Sequence, residues 1–198
     1  MKIGIVFSGQ GAQYPGMGKE LYDNYNTAWE IFDAAGSQIK EWCFNGTAEM
    51  LRQTFVTQPS IYVVTMAAYR VFTEEAAKEG LDNKLEIIGI AGFSLGEYSA
   101  LTAAGTIDEI GKGIDIVKKR GTFMQEAGTD RNGDPKGGMV AAFGAREKIL
   151  DIIDQISEDR ILEAANFNSP IQTVVAGENP ALEEFAEKAS KNRIKIKK

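Results

Sequence analysis

LEIIGIAGFSLGEYSALTAAG, residues 85–105, decides the fold. The β-rich run LEIIGIA feeds directly into Gly92-Phe93-Ser94-Leu95-Gly96, and a helical run follows. A strand that turns sharply into a helix around G-x-S-x-G belongs to an α/β architecture and sets the serine at the helix N-terminus. Gly92 and Gly96 permit the close backbone approach that such a turn needs. The backbone N–H of Leu95 would then point into the same cavity as the Ser94 hydroxyl and hold an oxyanion. The plainer alternative is an ordinary strand-to-helix turn with Ser94 as its cap. A serine hydroxyl is a poor nucleophile until a base takes its proton, and that base is nearly always histidine. The sequence contains no histidine.

Working outward, Met1 to Phe7 is a short apolar run ending in Ser-Gly-Gln-Gly, which predicts a buried strand and a tight loop. GMGKELYDNYNTAWEIFDAAGSQI carries apolar residues at helical spacing. TQPSIYVVTMAAYRVFTEEAAKEG predicts a helix capped at Thr57 near Pro59, with an apolar face through Ile61, Val64, Ala68 and Phe72 and an end at Gly80. IDEIGKGIDIVKKRGTFMQEAG reads as another helix. Strands alternating with helices predict a parallel sheet, and the large lobe is expected over residues 1–127. GTDRNGDPKGG, residues 128–138, is a polar break expected to be a linker. Residues 139–198 then read βαββαβ, a ferredoxin-like small lobe.

The chain has 198 residues, 43% of them hydrophobic, enough to bury a core. A net charge of −6 argues against a general nucleic-acid binder, which needs a basic face to displace counterions from phosphates. No window approaches the length needed to cross a bilayer, and the N-terminus does not read as a signal peptide. A single cysteine, Cys43, forms no internal disulfide, and the chain reads as cytoplasmic. Without histidine and with one cysteine, no zinc site is expected.

Two further stretches carry candidate chemistry. FSGQGAQYPGMG, residues 7–18, is a Gly-rich loop after a strand. It lacks both G-x-G-x-x-G and the Gly-Lys-Ser/Thr ending of a P-loop, so a backbone N–H near Gln10 serving an oxyanion hole fits it better than phosphate binding. In parallel sheets such loops gather at the carboxyl ends of the strands, where Ser94 also sits. In VKKRGTFMQEA, Arg120 follows Lys118 and Lys119. A solvated basic face is one reading. An arginine facing a pocket would instead grip a carboxylate with two parallel hydrogen bonds, which lysine does not reproduce.

Together, GQGAQYPGMG, TQPSIYVVTMAAY, GFSLGEYSALTAAG, RGTFMQEA and NFNSPIQTVVAG resemble the malonyl-CoA:acyl-carrier-protein transacylases, the domain type shared with polyketide-synthase acyltransferases. The resemblance runs in register from Gly9 to about Lys198. It implies a parallel-sheet, hydrolase-like large lobe beside the ferredoxin-like small lobe. It implies that Ser94 takes malonyl from coenzyme A as an ester and passes it to acyl carrier protein in fatty-acid biosynthesis, with no permanently bound cofactor. It implies oxyanion-hole N–H groups at Gln10 and Leu95, and an Arg120 that pairs with malonyl's free carboxylate. Asn166 and Asn168 match polar positions facing the cleft, with turn capping in NFNSP as the alternative.

The sequence departs from the family's pattern twice. Phe93 stands where histidine is frequent. The family's catalytic histidine lies in a segment resembling SGAFH after a strand like RIKIKK, and the sequence stops at that strand, so a C-terminally incomplete transacylase is expected. Complementation by a C-terminal polypeptide, or self-association through uncovered apolar surface, follows as an expectation. The alternatives are a product that binds acyl-CoA or carrier protein without turnover, drawn to the acidic carrier by Arg193, Lys195, Lys197 and Lys198, and a patatin-like Ser–Asp hydrolase. The patatin reading is disfavoured because its Asp-Gly motif has no counterpart at Asp134-Pro135.

Overall fold

The structure, a computed structural model, describes residues 1–81 and 84–197. Lys198 of the basic tail lies outside the described residues. The chain divides into two compact units, Met1–Gln125 and Glu126–Lys198.

In the first unit, β1 (Lys2–Phe7) and β2 (Glu86–Gly92) pair in parallel, with Phe7 opposite Gly92. Both strands therefore deliver their following loops to the same sheet end. Helices α1 (Lys19–Asn24), α2 (Asn26–Ala35) and α3 (Ser37–Asn45) replace the single helical stretch the periodicity suggested. Extended Tyr25 and Gly36, at φ 92°, break it. A 3₁₀ turn at Met50–Arg52 leads into α4 (Thr54–Lys78), and α5 (Gly96–Ala103) and α6 (Ile110–Gly128) follow the serine turn. The core of this unit lies among the helices, around Phe32, Ile39, Leu51, Tyr62, Met66 and Val117.

Met1 to Phe7 is not a fully buried strand: Phe7 is buried at 5%, packed edge-on against Tyr69, whereas Val6 on the other face is 79% exposed. Thr57 does not cap α4. The helix begins at Thr54 and runs through Pro59, which lacks the N–H that would bond the carbonyl four residues back, while the Thr57 hydroxyl bonds back to the carbonyl of Gln53 at 2.9 Å. Gly80, at φ 63°, does close the helix: its N–H bonds Ala77 O and that of Leu81 bonds Ala76 O. The buried face of α4 runs through Val56, Val63, Met66 and Ala67 beside Ile61. Val64, Ala68 and Phe72 instead line a largely apolar cavity of about 760 Å³ alongside β1. Both faces of α4 are apolar, so spacing alone does not choose between them.

In the second unit, β3 (Gly137–Phe143), α7 (Arg146–Ser157), β4 (Leu162–Ser169), β5 (Gln172–Glu178), α8 (Asn179–Lys191) and β6 (Lys195–Lys197) form an antiparallel sheet of order β4-β5-β3-β6. This is the ferredoxin-like arrangement read from the sequence. Helices α7 and α8 bury Ile149, Ile152, Ile156, Leu182 and Phe185 against Val140, Ala142 and Val175. The polar stretch before β3 is an ordered turn. Asp130 accepts backbone N–H bonds from Asn132 and Asp134, which hold its carboxyl below the usual range.

Candidate active site

Two loops meet at the carboxyl ends of β1 and β2. The N–H of Phe93 donates to Phe7 O at 3.2 Å and ties the serine turn to the end of β1. The glycines at this junction are required by space. A Cβ on Gly92 would lie 2.1 Å from the Gly96 carbonyl carbon, one on Gly96 would lie 2.3 Å from Phe7 O, and one on Gly9 would lie 2.5 Å from Phe93 O. No side chain fits at any of the three. The chain can therefore reverse at Ser94, which is held at φ 52°, in the left-handed region that non-glycine residues seldom enter.

This reversal aims the half-buried Ser94 hydroxyl away from the strand and starts α5. The N–H groups of Gly96 and Glu97 are occupied, bonding Phe93 O at 2.9 Å and Ser94 O at 3.1 Å. The backbone N–H groups of Leu95 and Gln10 donate to no other described residue. They stand on two adjoining loops, since Gly9 packs against the Phe93 carbonyl. The Leu95 side chain is buried at 1% and fixes its backbone from beneath.

Arg120 reaches the serine from α6. Its Nη2 donates to Ser94 Oγ at 3.2 Å and its Nη1 to Gln58 Oε1 at 2.7 Å, and the guanidinium carbon lies 5.5 Å from the centre of the Tyr98 ring. Among the described residues Arg120 pairs with no carboxylate. A half-buried cation bonded only to neutral groups is poised to take an anion, because the cost of desolvating it has been met without using its charge. The neighbouring Lys118 and Lys119 are exposed. The structure thus joins Ser94 to Arg120 by a hydrogen bond and sets Gln10 and Leu95 on the two loops at the same sheet end.

The sequence reading assigned no role to Gln58, although it lies in the quoted TQPS stretch. It is fully buried on α4, its carbonyl oxygen holds Arg120, and its Nε2 donates to Met124 Sδ at 3.2 Å. Further bonds join the same elements: Gln10 Nε2 to Thr54 Oγ1 at 3.4 Å and Thr54 N to Gln125 Oε1 at 3.1 Å. The close approach of α6 to the start of α4 is possible because Gly121 faces the Phe55 backbone, where a Cβ would lie 2.9 Å from Phe55 Cα. A polar residue just before a proline early in an apolar helix was the available signal for Gln58, since burial there demands partners.

Asn166 and Asn168 lie in β4, in the second unit. Register shifts between Ala164 and Asn166 and between Phe167 and Ser169 set them on an irregular stretch of that strand. The turn after them is held by Ser169, whose hydroxyl accepts from Ile171 N at 3.3 Å, so neither asparagine caps it. Among the described residues no group of three or more His, Cys, Asp or Glu could hold a metal ion, and no helix is long and apolar enough to cross a membrane.

The chain is 38% identical over 190 residues to a malonyl CoA-acyl carrier protein transacylase of Haemophilus influenzae, a match covering 93% of this chain and 57% of that protein. It is 34% identical over 200 residues to the Bacillus subtilis protein of the same name, covering 98% and 59%. The crystal structure of the Clostridium perfringens transacylase superposes with a TM-score of 0.83 at 39% identity, over 100% of this chain and 60% of that one. A further neighbour is a malonyl transacylase solved in complex with a type II polyketide acyl-carrier protein, with a TM-score of 0.84 at 33% identity. The chain therefore spans under two thirds of the length of these relatives. The sequence model of the acyl transferase domain matches residues 5–198, and the chain belongs to that family.

Proposed function

We propose that this chain carries the nucleophile and the acyl-recognition half of a malonyl-CoA:acyl-carrier-protein transacylase. Ser94 Oγ attacks the thioester carbonyl of malonyl-CoA, coenzyme A leaves as its thiol, and the malonyl ester is then passed to the phosphopantetheine thiol of acyl carrier protein. The oxyanion of each tetrahedral intermediate lies between the N–H groups of Gln10 and Leu95. Arg120 turns its unengaged N–H groups to the malonyl carboxylate, and Gln58 keeps the guanidinium in place. Asn166 and Asn168 contribute polar contacts to the acyl or pantetheine chain. The reaction uses no cofactor, and the lone buried thiol of Cys43 suits a reducing cytoplasm.

The observation that carries this reading is the bond from Arg120 to Ser94 Oγ at 3.2 Å, because a guanidinium one short acyl chain away from the hydroxyl supports pairing with malonyl's free carboxylate. The proton acceptor is a separate matter. Ser94 is bonded by a cation, and the 198 residues include no histidine. We assign the base to a group outside these residues. General-base assistance contributes about 10²–10⁴-fold, so the chain by itself turns over slowly or only binds. Binding without turnover is the second reading, favoured by that same lack of an acceptor.

The test is acyl loading from malonyl-CoA, followed by mass analysis of the peptide bearing Ser94. Added alone, the chain is expected to load weakly. Addition of a polypeptide corresponding to the remaining length of the relatives is expected to raise loading and to enable transfer to carrier protein. Full transfer by the chain alone would refute the assignment of the base. Absence of malonyl-CoA binding under both conditions would refute the function.

A further inference from the structure

Met124 lies one helical turn beyond Arg120 on α6, and the two share a face. Its side chain is 43% exposed, yet its sulfur accepts a hydrogen bond from the Gln58 amide at 3.2 Å. The other end of that amide holds Arg120 at 2.7 Å, and Arg120 reaches Ser94 at 3.2 Å. Thioether, amide, guanidinium and hydroxyl thus form one connected chain, with the thioether at its solvent end. The remaining methionines differ. Met17 and Met66 are 2% and 1% exposed, while Met1, Met50 and Met139 are exposed at 78%, 38% and 58% but make no hydrogen bond to these groups. A thioether is a weak acceptor, and its sulfoxide is a strong, polar one.

We propose that Met124 is a redox modification site that closes the carboxylate receptor. A peroxide is the oxidant. The sulfur lone pair attacks one peroxide oxygen, the O–O bond breaks as the S–O bond forms, and the departing oxygen leaves as water after the proton moves to it. Sulfur is oxidised by two electrons and the peroxide is reduced. The new sulfoxide oxygen holds the Gln58 N–H more strongly than the thioether did and competes for a free Arg120 N–H, the donor that would otherwise meet a carboxylate. Carboxylate binding beside Ser94 is lost until methionine sulfoxide reductases, one for each epimer, restore the thioether. This rests on the reading of Arg120 as the partner of malonyl's carboxylate.

The experiment treats the full chain and its Met124→Leu variant with hydrogen peroxide, with peptide mapping to follow each methionine. Two readouts are taken: the Gln58 side-chain amide resonance without ligand, and malonyl-CoA affinity by calorimetry. In the unsubstituted chain the amide resonance shifts as Met124 sulfoxide accumulates, and affinity falls about 10- to 100-fold, the loss of one hydrogen bond to a charged group. Both changes reverse with the reductase pair. In Met124→Leu, whatever its starting affinity, peroxide changes neither readout. An unmoved amide in protein mapped as Met124 sulfoxide overturns the proposal, as does an equal peroxide-induced loss of affinity in Met124→Leu. A reversible amide shift in protein that binds no malonyl-CoA even before oxidation sinks the substrate reading and leaves the coupling of Met124 to Gln58 standing.

Discussion

Gln58 shows what a single residue does at this site. Replacing it by leucine removes the acceptor for Arg120 Nη1 and keeps the volume. The guanidinium then has a free N–H and no fixed direction, so the fixed geometry that makes arginine a selective carboxylate partner is lost. In a form of the protein competent for transfer, Gln58→Leu is expected to raise KM for malonyl-CoA about tenfold, the typical cost of one hydrogen bond to a charged group, with a smaller effect on kcat. Arg120→Ala is expected to go further and raise acetyl relative to malonyl transfer, measured as the ratio of loaded esters on Ser94. An unchanged ratio would remove Arg120 from acyl recognition. Cys43 offers an independent check of burial. It is fully buried among apolar side chains, and burial raises its thiol from the ordinary 9.0 to about 12. The folded state disfavours the thiolate, so this contribution to stability is complete below pH 9 and is lost as pH rises toward 12. Alkylation at pH 8 should therefore proceed only with unfolding, while a denatured control reacts promptly.

At the scale of elements, the site depends on how closely α4, α5 and α6 approach one another. Tyr62 on α4 donates to or accepts from Thr102 on α5 at 2.7 Å, and its hydroxyl lies where a Cβ on Gly113 of α6 would fall, 1.8 Å away. Gly113→Ala must displace the tyrosine and break that bond in a buried setting. A destabilisation of about 2–4 kcal/mol, read as a lower midpoint in urea, is expected from the combined steric and polar cost. Gly111→Ala two residues earlier is the control, since a Cβ there meets nothing within 4 Å and a small gain in helix propensity is expected. The serine turn is more constrained still. Gly92→Ala and Gly96→Ala each drive a methyl into backbone atoms that have no flexible end to give way.

For the whole molecule, the exposed apolar surface of the first unit is the feature with the largest consequence. Met1, Val6 and Ile88 are 78%, 79% and 62% exposed on β1, β2 or their ends, and the apolar cavity beside β1 opens between strand and helix. Exposed apolar surface favours association. The 198-residue chain is expected to bind a hydrophobic dye in its folded state and to sediment as more than a monomer at high concentration. Dye-silent, monodisperse monomers would show that this surface is covered in solution by a rearrangement.

Periodicity and turn chemistry were local enough for the sequence to determine much by itself. The glycine-bounded turn, the end of α4 at Gly80 and the βαββαβ order of residues after the polar break all follow from spacing of a few residues, and alternating strands and helices predict a parallel sheet without saying which strands pair. The motif matches went further and named Ser94 and Arg120, which one hydrogen bond joins, with Gln10 and Leu95 on the loops at that sheet end. Tertiary structure decided the rest. It chose which of two apolar faces of α4 enters the core, broke one predicted helix into three, and left β1 open on the side carrying Val6. It also placed Gln58 and Met124, 66 positions apart, within one hydrogen bond of each other. A buried polar group must find partners, and those partners are set by which helices pack together, a relation that residue spacing along one helix does not contain.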